Sequence, residues 1–233
     1  MTADRGEFAE GVRHSLPFIL SVLPFGMVVG TLGVANGGGI GDVILQSLLM
    51  FAGASQTVMW ELYPAGNPVW VVAIAVFAVN FRLMLYSAAI GRKLEPISRP
   101  RMLGALYLLQ DISLAVGLQR AERPKGLSWH YYMGLSIVLF LVWQVATIVG
   151  AVFGSFIEEP RDVGLDMLVP IYFLCLTMGF RAKPNAAIIF ATSVAVAAAA
   201  WLTIGSPYHI GFGGLAGMVV AALLARPREV AGG

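Results

Sequence analysis

Apolar runs of eighteen or more residues recur along the chain from Leu16 to Leu224, and no other feature limits its fold as strongly. A helix of about 20 residues crosses the roughly 30 Å hydrocarbon core of a bilayer. Backbone polar groups cannot stay unpaired in lipid, and these runs lack the period-2 alternation of barrel strands. An all-α, polytopic membrane helical bundle of seven to eight segments follows, at 16–35, 43–62, 69–91, 102–119, 132–157, 165–180, 185–204 and 208–225. Only 12% of the residues are charged, against roughly 25% in soluble domains. No connector is long enough for a soluble domain, so residues 1–233 read as a single transmembrane domain. The run after the mixed-charge first fifteen residues holds Pro17 and Pro24 and no small-residue cleavage site, and reads as a retained helix.

Charge placement says more than the formal net charge of +2. Of fifteen Lys and Arg, only Arg82 lies inside an apolar run; of thirteen acids, only Asp111 lies in the middle of one. Lys and Arg favour the cytoplasmic side. Placing 120–126, Arg181, Lys183, Arg226 and Arg228 inside leaves the acidic loop of Glu158, Glu159 and Asp162 outside, with a cytoplasmic C-terminus. The first half resists this scheme: with Arg5 and Arg13 inside and four full crossings, the loop of Arg92, Lys93, Arg99 and Arg101 would lie outside. If 43–62 and 102–119 are instead broken or re-entrant, every basic loop becomes cytoplasmic, and these are the runs richest in polar interruptions. Cys175 is the only cysteine and lies in an apolar run, which excludes an intrachain disulfide.

An internal three-helix repeat is read at an offset of 124, where Gly26, Gly30 and Asp42 match Gly150, Gly154 and Asp166. Chance similarity among glycine-rich helices is the alternative. Transporters built from repeats bind their cargo where broken helices meet near the midplane.

Three motifs carry chemistry. In Phe51-Ala52-Gly53-Ala54-Ser55-Gln56, small residues admit a neighbouring backbone, and Gly with Ser can open the helix. Either the break lines a substrate path, with Gly53, Ser55 and Gln56 as candidates, or this is a close helix crossing with Gln56 bonded to a neighbour. The run from Val79 to Ser87 holds Asn80, Arg82 and Tyr86. A charge at bilayer depth costs at least ~2.5–3.5 kcal/mol and normally faces a bundle interior or aqueous cavity, snorkelling being the alternative. At 100° per residue, Arg82 and Tyr86 share a face that excludes Asn80. In Leu109-Gln110-Asp111-Ile112-Ser113, a carboxylate without a partner would protonate on desolvation. Opposite charges favour an Arg82–Asp111 pair that can break and re-form as substrate or proton enters.

These runs, with Pro24-Phe25-Gly26, make the chain similar to the AzlC family of branched-chain amino acid exporters. The specific motifs lie between about residues 10 and 120, and the likeness continues to about 225 as segment order. The resemblance implies export of leucine, isoleucine, valine or analogues across the bacterial inner membrane, driven by the proton gradient, with a small AzlD-type membrane partner. Leu83 stands where the family commonly has His after the Arg, and Ile112 where an acid usually follows the Asp.

A branched aliphatic zwitterion needs an anion site, a cation site and an apolar cup. Arg82 or a helix N-terminus opened near Gly53 suits the carboxylate. Asp111, Asn80 or Gln56 suits the ammonium, and Phe25, Phe51 and Met84 the cup. A channel or an assembly subunit for another small solute is the alternative function. The chain shows no nucleophile, acid or metal cluster fit for an enzyme, and His14, His130 and His209 are far apart, so neither cofactor nor metal is expected. The basic loops need no nucleic acid to explain them. Gly211-x-Gly213 formally fits a dinucleotide fingerprint, yet no strand precedes it.

Overall fold

In a computed structural model, residues 2–156, 184–205 and 208–224 are described, with single positions at 167, 171, 174, 177, 178 and 181. The chain divides into two units, Met1–Val169 and Pro170–Gly233. The described helices from Thr2 to Gly154 and from Ala186 to Leu224 are α, and none of the described residues forms a strand. Among the described residues, four helices are long and apolar enough to cross a bilayer: Asp4–Ala35, Val69–Gly91, Trp129–Gly154 and Ala186–Thr203. Asp166, Cys175, Pro170, the acidic loop 158–162, Lys183 and the basic tail lie outside the described residues, as does most of the expected segment 165–180.

Helix α1 (Thr2–Ala35) starts well before the expected residue 16 and runs unbroken through Pro17 and Pro24. Its 34 residues extend about 50 Å at ~1.5 Å per residue, more than the hydrocarbon core, so the charged first turns project beyond it. The two expected segments 43–62 and 102–119 are not single helices. Each is a pair: α2 (Ile40–Leu49) with α3 (Gly53–Leu62), and, after α4 (Val69–Gly91), α5 (Arg99–Tyr107) with α6 (Asp111–Ala121). Helix α7 (Trp129–Gly154) closes the first unit.

Both pairs turn back on themselves. Trp60 Nε1 donates to Gln46 Oε1 at 2.6 Å, and Val43 and Trp60 share one cluster with Ala151, which a straight helix could not allow. Met50 and Ala52 are extended at the turn (φ −132° and −151°). Trp60 also packs where Gly33 and Gly38 lack side chains, so α3 returns to the C-terminal end of α1. In the second pair, Tyr132 OH reaches Ala105 O at 3.1 Å on α5 and Ser113 Oγ at 3.5 Å on α6. The entry and exit both lie at the start of α7, where Arg101 stacks 5.0 Å over Trp129 and Arg120 donates to Gly126 O at 3.0 Å. Arg120 also bonds both oxygens of Glu7, at 3.1 and 3.0 Å, so this end is the N-terminal end of α1.

The two hairpins therefore enter from opposite ends, and the conflict in the basic loops disappears. Arg92, Lys93, Arg99, Arg101, Arg120, Arg123 and Lys125 share the side of Arg5 and Arg13. In a Cys175→Ser background, Ile40→Cys and Ala65→Cys are expected to react with an impermeant maleimide from one face of the membrane only, and Lys93→Cys and Glu122→Cys from the other only. Labelling of Ala65→Cys and Lys93→Cys from the same face would overturn the two-hairpin topology.

The core of this unit is the parallel packing of α1 on α7. A Cβ on Gly30 would lie 2.1 Å from Thr147 O, one on Gly150 2.1 Å from Met27 O, and one on Gly134 2.2 Å from Phe8 O. Small residues let these backbones touch, the usual device for helix association in lipid. Gly26, Gly30, Gly150 and Gly154, read above as a repeat, all lie along this crossing. Helix α4 covers α3 through Val58, Leu62 and Val72.

The second unit holds α8 (Ala186–Thr203) and α9 (Tyr208–Leu224), each within a residue of expectation. They pack antiparallel, Gly213 against Ala197 and Gly217 against Ser193, joined by a turn with Gly205 at φ +89°.

Candidate functional site

The two hairpin tips meet halfway along α7. Phe51 of the first tip lies 5.2 Å from Phe140, and Tyr107, just before the second, lies 5.8 Å from the same ring. The Tyr107 hydroxyl donates to the carbonyl of Leu48, joining one hairpin to the other. Phe51 also packs edge-on against Trp143, with ring centroids 6.2 Å apart. Ser113 closes the second: its hydroxyl oxygen accepts from Gln110 N at 2.9 Å. Helices α3 and α6 thus both begin inside the unit, presenting their N-terminal, positive dipole ends to its middle.

Halfway along α4, Asn80 and Arg82 receive these two ends. Ser55, in the first turn of α3, donates to Asn80 Oδ1 at 2.7 Å. Arg82 Nη1 donates to Asp111 Oδ1 at 3.0 Å, and Tyr86 OH donates to the same oxygen at 2.8 Å. Asp111 is the first residue of α6, where its charge complements the helix dipole. The expected helix-face arithmetic holds, since Asn80 faces the first tip and Arg82 with Tyr86 the second. The cluster is not sealed within the first unit, because the side chains of Arg82 and Asp111 are 36% and 54% exposed. A partly solvated pair of this kind contributes only about 0–1 kcal/mol to stability. Arg82 Nε is buried without a hydrogen-bond partner among the described residues.

Five of the seven candidates, Ser55, Asn80, Arg82, Tyr86 and Asp111, gather around the middle of α4. Gly53 and Gln56 lie elsewhere. A Cβ on Gly53 would meet the rings of Trp143 and Phe25 at 2.5 and 2.6 Å, so this glycine serves a close approach. Gln56 is fully buried, accepts from Trp143 Nε1 at 3.2 Å and lies 3.5 Å from Gln46 Oε1. It is the helix-crossing glutamine of the second reading above. Phe25 and Phe51 are buried in the same aromatic packing, whereas Met84 is exposed and, two residues from both Arg82 and Tyr86, lies on the opposite face of α4 from them.

Sequence reasoning missed the clamp at the N-terminal end. The Arg120 side chain is 2% exposed, bonded to Glu7 and 3.7 Å from Glu10. Its partners are more than a hundred residues away in sequence, and no local pattern marks it. Among the described residues, no group of three His, Cys, Asp or Glu is placed to hold a metal.

The family model described as AzlC protein matches residues 17–157, which contain both hairpins, α4 and all seven candidates. The chain belongs to the AzlC family. AzlC-family members are membrane proteins associated with transport. The chain is 25% identical over 224 residues to the inner membrane protein YgaZ of Escherichia coli K12, covering 94% of this chain and 89% of that one. It is 29% identical over 171 residues to a membrane protein of Archaeoglobus fulgidus, covering 73% and 74%. No solved structure matches it.

Proposed function

We propose that this AzlC-family protein is the large subunit of a branched-chain amino acid exporter of the bacterial inner membrane, working with a small AzlD-type subunit and the proton gradient. The observation that carries the reading is the Arg82–Asp111 pair at the meeting of two broken hairpins. A zwitterion matches both halves of that pair. Inserted between them, its carboxylate takes Arg82 and its ammonium takes Asp111, so neither protein charge is left alone. Leu85, three residues after Arg82, and Phe81, four residues before Leu85, are exposed and give the adjoining face of α4 apolar surface suited to a branched side chain.

Proton coupling follows from the same carboxylate. When Asp111 binds a proton, the ammonium loses its counter-charge and the amino acid leaves. When the proton departs, the site is restored. Proton and substrate thus exclude each other, as antiport requires. In this reading the N-terminal end of α1 and the C-terminus are both cytoplasmic, which the bias of basic residues toward that side supports.

The test is counterflow in proteoliposomes, with and without the small subunit. A carrier saturates and is accelerated by leucine or valine on the opposite side; flux that rises linearly with concentration, or indifference to these amino acids, would sink the proposal. Tyr86→Phe removes one hydrogen bond to the Asp111 carboxylate, worth about 1.5–3 kcal/mol because the acceptor is charged, and should slow transport by about tenfold or more.

A further inference from the structure

We propose that a cleft between α1, α6 and α7, which shares no lining residue with the ion cluster, binds the phosphate headgroup of an anionic phospholipid. The cleft has a volume of about 270 Å³, close to the ~300 Å³ lower end of small-molecule sites. Arg13, Gln119 and Arg123 form its polar part, and Pro17, Phe18 and Val116 its apolar part. The two parts are layered along the membrane normal. Arg13 precedes the apolar run that begins at Leu16, and Arg123 follows the end of α6 at Ala121. Phe18 and Val116 lie one to two turns deeper along the same helices, so the guanidinium groups stand at headgroup level above a hydrocarbon-facing floor.

The charge balance singles out two of the arginines that line the cleft. Arg120 is neutralised by Glu7 and Glu10 and lies 5.0 Å over the Tyr131 ring. His14 and Tyr131 satisfy each other at 2.6 Å. Arg13 and Arg123 are exposed and have no ion-pair partner among the described residues. Two forked cations flanking a cleft suit a phosphate diester, and basic pockets between membrane helices recognise such headgroups. Free phosphate shares this oxygen chemistry but has no use for the apolar floor, which the first acyl carbons would cover.

Native mass spectrometry of the full chain released from detergent micelles reads the site directly. With added phosphatidylglycerol, retained lipid is expected, and Arg13→Ala/Arg123→Ala should weaken it by about tenfold. Val116→Trp, which fills the apolar part, should weaken it as well. Arg92→Ala/Lys93→Ala removes equal charge from the same side outside the cleft and should leave retention unchanged. Equal loss in both double variants would replace the site with diffuse surface attraction and overturn the proposal. Retention of phosphatidylethanolamine to the same degree would also overturn it. So would displacement by millimolar inorganic phosphate with Val116→Trp unaffected, which would mark a site for a free anion. Thermal stability of the arginine double variant, equal to that of the parent chain, separates lost binding from lost folding.

Discussion

Leucine counterflow is expected to fall about tenfold or more in Arg82→Ala and in Asp111→Asn, because each removes a charge-assisted hydrogen bond worth about 1.5–3 kcal/mol. The Arg82→Ala/Asp111→Asn double variant should be no worse than either single change, since both act on one substrate-binding unit and their effects are then non-additive. Thermal stability in detergent should move little in all three, because the pair is partly solvated and contributes only about 0–1 kcal/mol. This separation of activity from stability is what distinguishes a binding pair from a structural one. Two single variants that both transport at the parent rate would remove the pair from the mechanism. Large stability losses with proportionate activity losses would make it a strut.

The largest effects on stability are expected at the α1–α7 crossing. A Cβ at Gly30 would sit 2.1 Å from Thr147 O and 2.7 Å from Ala151 N, and one at Gly150 would sit 2.1 Å from Met27 O. All of these are backbone atoms, which cannot turn aside as a flexible side chain can. Gly30→Ala and Gly150→Ala must therefore push two long helices apart, at a cost of about 1–3 kcal/mol each by analogy with overpacked cores. Gly104→Ala is the control: it lies within α5 with nothing within 4 Å of its Cβ, and replacing a helical glycine by alanine should be neutral or stabilising by about 0.5–1 kcal/mol. Melting temperatures of the detergent-solubilised protein read the contrast directly. Unchanged melting in Gly30→Ala and Gly150→Ala would mean that the close approach is not what holds the unit together.

Much of the candidate site was legible in one dimension because lipid makes polarity conspicuous. Arg82 and Asp111 are opposite charges within apolar runs, and a bilayer leaves such groups few partners but each other. Tyr86 followed from helical periodicity. The hairpins were foreshadowed by the basic loop at Arg92–Arg101, which fits the inside bias only if two runs fail to cross. Gln56 shows where this reasoning fails. A buried amide reads the same whether it faces cargo or Trp143, because its neighbour lies 87 residues away.

Hydrophobic length and charge position therefore determined, from the sequence alone, that this chain is a helical membrane protein with a charge pair near mid-membrane. Each is a local property, set by transfer from water to hydrocarbon one residue at a time. Only the tertiary structure decided that 43–62 and 102–119 double back, that their tips meet on Phe140, and that Arg120 is buried on Glu7. Those outcomes depend on which distant backbones can touch, and in this fold that is governed by glycines whose partners lie more than a hundred residues away.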